Sequence, residues 1–100
     1  MSYSIVVAEA AKDDIREAFL WYRGRREHLG FLFEADIDQA IESLKIYPYK
    51  NQIRYDNTRI CMLRKFPYGI HFQIDEVQRA ILVVAVFHNA RNPQRWKRGV

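Results

Sequence analysis

The chain has 100 residues, 49% of them hydrophobic and 14% aromatic, with a formal net charge of +4 and a single cysteine. That length and composition predict one globular domain spanning residues 1–100 and exclude a disordered chain, an internal disulfide and a cysteine-based zinc cluster. No apolar run approaches the roughly 20 residues needed to span a bilayer, and the first residues lack the pattern of a secretion signal, so a cytoplasmic protein without membrane contact is expected.

In chain order, Tyr3–Ala8 is β-rich without helical spacing and reads as a first strand. Helical signal starts at about Glu9. Ala11, Ile15, Ala18 and Tyr22 fall on one helical face, widened by Phe19, with Glu9, Asp13 and Asp14 where the helix dipole favours negative charge. Trp21 and Tyr22 read as core residues of that helix. Leu29-Gly30 is expected to separate it from a second helix, whose stripe is Phe33, Ile37, Ala40, Ile41 and Leu44 and which Pro48 stops. Tyr47–Thr58 shows little periodicity and reads as a loop. Three apolar runs follow, Ile60–Phe66, Ile70–Ile74 and Ala80–Phe87, and short breaks between them predict an antiparallel meander. Ile70, Phe72 and Ile74 alternate with Gly69, His71 and Gln73, which predicts a wetter face for the latter three. Ile81–Phe87 is nearly continuous in apolar residues, as expected of a central strand. The fold class is α+β, in the order β-α-α-β-β-β, an antiparallel sheet with a helical hairpin packed on one face.

Charge is unevenly placed. Residues 1–50 carry seven Lys/Arg against nine Asp/Glu, a net of −2, and residues 51–100 carry nine against three, a net of +6. Arg59, Arg64, Lys65, Arg79, Arg91, Arg95, Lys97 and Arg98 are interleaved with Phe66, Tyr68, Phe87 and Trp96. Such a set suits nucleic acid, and it suits an acidic amphipathic peptide equally. His28 is expected in the helix link and His71 in mid-strand. His88, at the end of the last strand, pairs by spacing with Arg91 as a base and a charge stabiliser for phosphoryl chemistry, or else hydrogen-bonds the tail. No histidine has a second ligand at metal spacing, and no phosphate-binding loop, dinucleotide fingerprint or nucleophile motif is present, so no metal or cofactor is expected. Cys61 reads as a small apolar strand residue.

Phe66-Pro67-Tyr68-Gly69-Ile70, Val84-Ala85-Val86-Phe87-His88 and Arg91-Asn92-Pro93-Gln94-Arg95-Trp96, together with Ala11–Ile15, Trp21-Tyr22, Phe33–Ile41 and Tyr47-Pro48, resemble the ParE branch of the RelE/ParE toxin superfamily. The resemblance spans nearly the whole chain and matches the derived element order. It implies the toxin of a type II toxin–antitoxin pair of the plasmid stabilisation kind. A cognate antitoxin would neutralise it, and DNA would be contacted only through the antitoxin complex. ParE-like members are associated with inhibition of DNA gyrase, RelE-like members with cleavage of mRNA on the ribosome. The RelE branch has an arginine directly after the tyrosine that starts the third strand, where this chain has Gly69. It also uses a C-terminal tyrosine, and none follows Tyr68 here. Both departures argue for a gyrase inhibitor over an endoribonuclease, whose candidate residues would be His88, Arg91 and Arg64; a degenerate member without toxicity is the third alternative. Arg64, Lys65, Arg91, Arg95 and Trp96 are the candidates for contact with a partner or target.

Overall fold

In the computed structural model, which describes residues 2–91 together with Pro93 and Trp96, Ser4–Val7 form strand β1. Ile5 and Val7 pack against the core, whereas Ser4 and Val6 are exposed. Helix α1 follows at Glu9–Arg25 and buries the expected stripe of Ala11, Ile15, Ala18, Phe19 and Tyr22. Glu9 in its first turn and Arg23 and Arg25 in its last complement the helix dipole.

The break between helices lies earlier than Leu29-Gly30. Helix α2 runs Glu27–Ile46, so Arg26, in extended geometry, is the whole link. Gly30 sits inside α2 for a packing reason: a Cβ there would lie 3.1 Å from Arg23 Cβ and 3.1 Å from Phe19 Cε1. The glycine lets the two helices approach closely. His28 thus lies exposed in the first turn of α2. Phe33, Ile37 and Leu44 are buried, with Ala40 and Ile41 packed beside them.

Residues 47–58 are more ordered than a loop. A 3₁₀ turn at Pro48–Lys50 leads into a short strand β2, Ile53–Tyr55, which pairs antiparallel with β3, Thr58–Met62. Asp56 and Asn57 make the hairpin turn at φ 40° and 60°, a left-handed region these residue types tolerate. Three residues are too few for periodicity to reveal a strand, which adds one β element to the expected order.

Strand β3 stops at Met62, short of Phe66. The buried carboxylate of Asp36 on α2 accepts hydrogen bonds from the amides of Lys65 (2.8 Å) and Phe66 (3.1 Å), so these amides are turned away from any strand partner. β4 is Tyr68–Asp75 and β5 is Ala80–His88. The sheet order is β1-β5-β4-β3-β2, with β1 parallel to β5 and every other pair antiparallel. The helical hairpin covers one face, as predicted, and six of the nine residues of β5 are buried.

A bulge in β5 sets the rest of the architecture. His71 pairs with Ala85 and Phe72 with Val83, so Val84 has no opposite residue. The extra residue reverses the alternation. Ile81, Val83 and Val86 join the core against the helices, and Phe87 turns to the other face, beside His71. Asp14 of α1 accepts a hydrogen bond from the amide of Val86 at 2.9 Å, which satisfies a group displaced from the ladder.

Candidate functional site

Four of the predicted site residues, Arg64, Lys65, His88 and Arg91, are brought to one end of the sheet, where two turns meet. Tyr68 pairs with His88, and the Asn89 amide donates to the Pro67 carbonyl at 2.8 Å. The turn between β3 and β4 brings exposed Arg64 and Lys65 to this end, and the end of β5 brings exposed His88 and Arg91. Arg95 lies outside the described residues.

His88 Nδ1 accepts a hydrogen bond from the Ala90 amide at 3.0 Å, and its ring meets Tyr68 edge-on with centroids 5.1 Å apart. This is the tail-bonded arrangement weighed for it from sequence, and Nε2 is the ring nitrogen left to meet a ligand. The Arg91 guanidinium lies 4.3 Å over the Phe87 ring. Burial pushes the Tyr68 hydroxyl above its ordinary pKa, Tyr22 and Glu17 add to the rise, and Arg91 opposes it. Burial likewise raises the Cys61 thiol, as suits an inert strand residue.

On the outer sheet face, His71 is buried to 2% exposure rather than lying on a wetter face. Three side chains enclose it that periodicity alone does not place there: Tyr55 from β2, Phe87 delivered by the bulge, and Trp96 folded back from the tail. The Tyr55 hydroxyl is 2.8 Å from His71 Nδ1, and the Trp96 ring lies 5.1 Å from His71 and 5.3 Å from Tyr55. The Trp96 indole N–H is enclosed without a hydrogen-bond partner. Gly69 of β4 faces the same side, where a Cβ would come within 2.7 Å of Ile60 Cγ2. Ile60 is itself buried, so a side chain at position 69 would require Ile60 to shift within its packing.

On the helix side, an open cleft of about 330 Å³ is walled by Asp14, Glu17, Trp21, Tyr22, Tyr68 and His88. Tyr22 belongs to the core, as expected, but Trp21 is 54% exposed and carries the Arg25 guanidinium 4.4 Å from its ring. At the far end of the sheet from His88, Glu76 lies in the turn between β4 and β5. There Tyr3 and Tyr49 both donate to one oxygen of Glu76, a cluster that no local sequence signal marks. Among the described residues no three His, Cys, Asp or Glu side chains group as metal ligands, and no helix is long and apolar enough to cross a membrane.

The sequence profile of the family described as the ParE toxin of the type II toxin–antitoxin system parDE matches residues 5–93. A comparison with curated protein sequences returns no match. Among solved structures, the chromosomal ParDE system of P. aeruginosa aligns over 87% of this chain and 96% of that one, with a TM-score of 0.74 and 14% identity. A double arginine-to-alanine variant of the E. coli toxin RelE in the free state aligns over 96% and 92%, with a TM-score of 0.67 and 16% identity. The RelBE2 toxin–antitoxin complex of Mycobacterium tuberculosis aligns over 88% and 99%, with a TM-score of 0.63 and 17% identity. At these identities the structural likeness speaks to the fold.

Proposed function

The chain belongs to the ParE family of toxins from type II toxin–antitoxin systems, and from that premise we propose that it arrests growth in the cytoplasm by binding and inhibiting DNA gyrase until a cognate antitoxin neutralises it. Arg64, Lys65, Arg91, Arg95 and Trp96 are the residues assigned to contact with target or antitoxin. The observation that carries the choice of target is Gly69. The arginine that the RelE branch places after this tyrosine is replaced here by a glycine against which Ile60 packs, and the first carbon of a side chain would lie 2.7 Å from Ile60 Cγ2 and force it to shift.

The chemistry at His88 agrees. Cleavage of a phosphodiester needs a base, an acid and positive charge on the transition state. His88 supplies one proton-transfer group. Tyr68 is a weakened acid, its hydroxyl raised by burial. Asp14 and Glu17 line the same cleft and oppose the negative charge of a phosphate. Loss of one proton-transfer group typically costs about 10²–10⁴ in rate, enough to make cleavage a poor growth inhibitor. The antitoxin assignment rests on the family and on the solved ParDE and RelBE2 systems that share the fold.

Two assays with the purified protein test the target. We expect inhibition of gyrase supercoiling, and no cuts in a defined message on programmed ribosomes. Site-specific cuts that vanish in a His88→Ala variant would overturn the reading and identify a ribosome-dependent endoribonuclease.

A further inference from the structure

A pocket of about 290 Å³ lies on the outer face of the sheet and reaches from Arg54 of β2 to Phe87 and His88 at the end of β5. Arg54 belongs to the strand that periodicity does not reveal, and only the folded sheet sets it on one wall with Arg91. Among the described residues the lining carries these two guanidiniums and no carboxylate. Each guanidinium lies over an aromatic ring, Arg54 at 5.8 Å from the Trp96 centroid and Arg91 at 4.3 Å from that of Phe87. Neither makes an ion pair among the described residues, unlike Arg16 and Arg79, which pair with Asp13 and Glu76. The Trp96 indole N–H, on the same wall, is enclosed without a hydrogen-bond partner. His88 spends Nδ1 on the Ala90 amide, so its neutral ring carries the proton on Nε2 and offers one more donor.

Donors without acceptors around an apolar floor form a receptor for a single anion. A guanidinium stacked on a ring keeps the N–H groups of its edge for an oxyanion, and the two oxygens of a carboxylate match that fork. Ile60, Met62 and Pro93 add apolar surface to the lining, and Met62 is 49% exposed. The charge is local to this pocket. Arg59 of β3 gives its guanidinium to the Asn51 carbonyl and the Tyr49 ring, and Arg79 is held by Glu76 at the far end of the sheet. A nucleic-acid strand asks for cations in a row under successive phosphates, whereas one carboxylate asks only for the pair.

We propose that this pocket binds one carboxylate of an acidic segment of a partner protein, with Arg54 and Arg91 as its cations and the apolar neighbours of that carboxylate against Met62 and Pro93. The volume of about 290 Å³ is sufficient for one such side chain. The inference rests on the toxin–antitoxin reading only for the existence of a protein partner, and it is independent of whether the target is gyrase or the ribosome.

The test is a titration of the purified protein with acetyl-Leu-Glu-Leu-amide, followed by NMR shifts of the Trp96 indole N–H and of the arginine side-chain N–H groups. The glutamine counterpart, which keeps the shape and loses the charge, and the dinucleotide TpT, whose single phosphodiester carries the same charge as the carboxylate, are the comparisons. We expect saturable shifts at Trp96, Arg54 and Arg91. Affinity should be weaker by roughly tenfold for the glutamine peptide, and similarly reduced in Arg54→Gln and Arg91→Gln variants, whose exposed positions spare the fold. No shift at Trp96, equal affinity for the glutamine peptide, or unchanged affinity in both variants would overturn the proposal. Tighter binding of TpT at the same resonances would overturn it in favour of nucleic acid. Neither gyrase, ribosome nor antitoxin enters the titration, so its outcome is separate from that of the target assays.

Discussion

Glu76 ties three distant parts of the chain through two hydroxyls. Tyr3, at the entry to β1, donates to Glu76 Oε2 at 2.7 Å, and Tyr49, from the 3₁₀ turn after α2, donates to the same oxygen. Arg79 pairs with the other oxygen at 3.3 Å and lies 4.2 Å over the Tyr3 ring. The hydrogen bonds from Tyr49 and then Tyr3 hold the Glu76 carboxyl below its ordinary range, and the bond to Glu76 pushes the Tyr49 hydroxyl up to about 12. The lowered Glu76 contributes stability that is present above its ordinary pKa of 4.5 and lost as pH falls through the depressed value. The raised Tyr49 contributes stability that is present below its ordinary pKa of 10.0 and lost as pH rises toward about 12. Melting temperature against pH is therefore expected to drop on an acidic and an alkaline limb, and Glu76→Gln should flatten both. An unchanged profile in that variant would dismiss the cluster as a source of pH dependence.

At the scale of elements, α2 decides where β3 ends. Asp36 is 3% exposed and accepts from two amides of the turn between β3 and β4, so it fixes the segment that presents Arg64 and Lys65. Asp36→Ala leaves those amides without their acceptor. It is expected to destabilise the protein by about 1–3 kcal/mol, the usual penalty for an unsatisfied buried polar group. Asp36→Asn keeps a carbonyl oxygen in place and should lose less. Urea unfolding of the two variants checks the ordering, and equal losses would show that the carboxylate is held by charge and not by these amides. Asp14 plays the matching role at the other turn of structure, where α1 supplies the acceptor for the Val86 amide beyond the bulge.

For the whole molecule, exposed Arg64, Lys65 and Arg91 gather at one end of the sheet, and Asp14 and Glu17 of α1 lie beside it. A partner that covers the basic end is expected to be acidic where it meets Arg64 and Arg91. Reversing Arg64 and Arg91 together to glutamate is expected to weaken the antitoxin complex and to reduce its sensitivity to salt. Affinity measured at two ionic strengths checks this, and identical salt dependence would remove the basic end from the interface.

The sequence by itself determined the features whose causes are local. Two helical stripes, from Ala11 to Tyr22 and from Phe33 to Leu44, follow from a period of 3.6 residues, and the stop at Pro48 follows from its missing amide hydrogen. The central strand at Ile81–Phe87, the meander and the helical hairpin on one face follow from apolar runs and short turns. The family was legible in the joint order of short motifs, and so was the gathering of His88 and Arg91 at a strand end. What only the tertiary structure decided involves partners far apart in the chain. Asp36 ends β3 across about thirty residues, Tyr3 meets Glu76 across more than seventy, and Asp14 accommodates a bulge in β5 from α1. That bulge turns Phe87 to the outer face, where it closes over His71 with Tyr55 and Trp96, and no alternation rule places it there. The same holds for Gly69: its absent side chain reads in sequence as a mere departure from a motif, and only the tertiary structure shows Ile60 packed against it where a side chain would begin. Periodicity reports which face a residue shares with its neighbours along the chain, whereas a carboxylate, a bulge and a close contact are set by groups that meet only after the sheet and helices have docked.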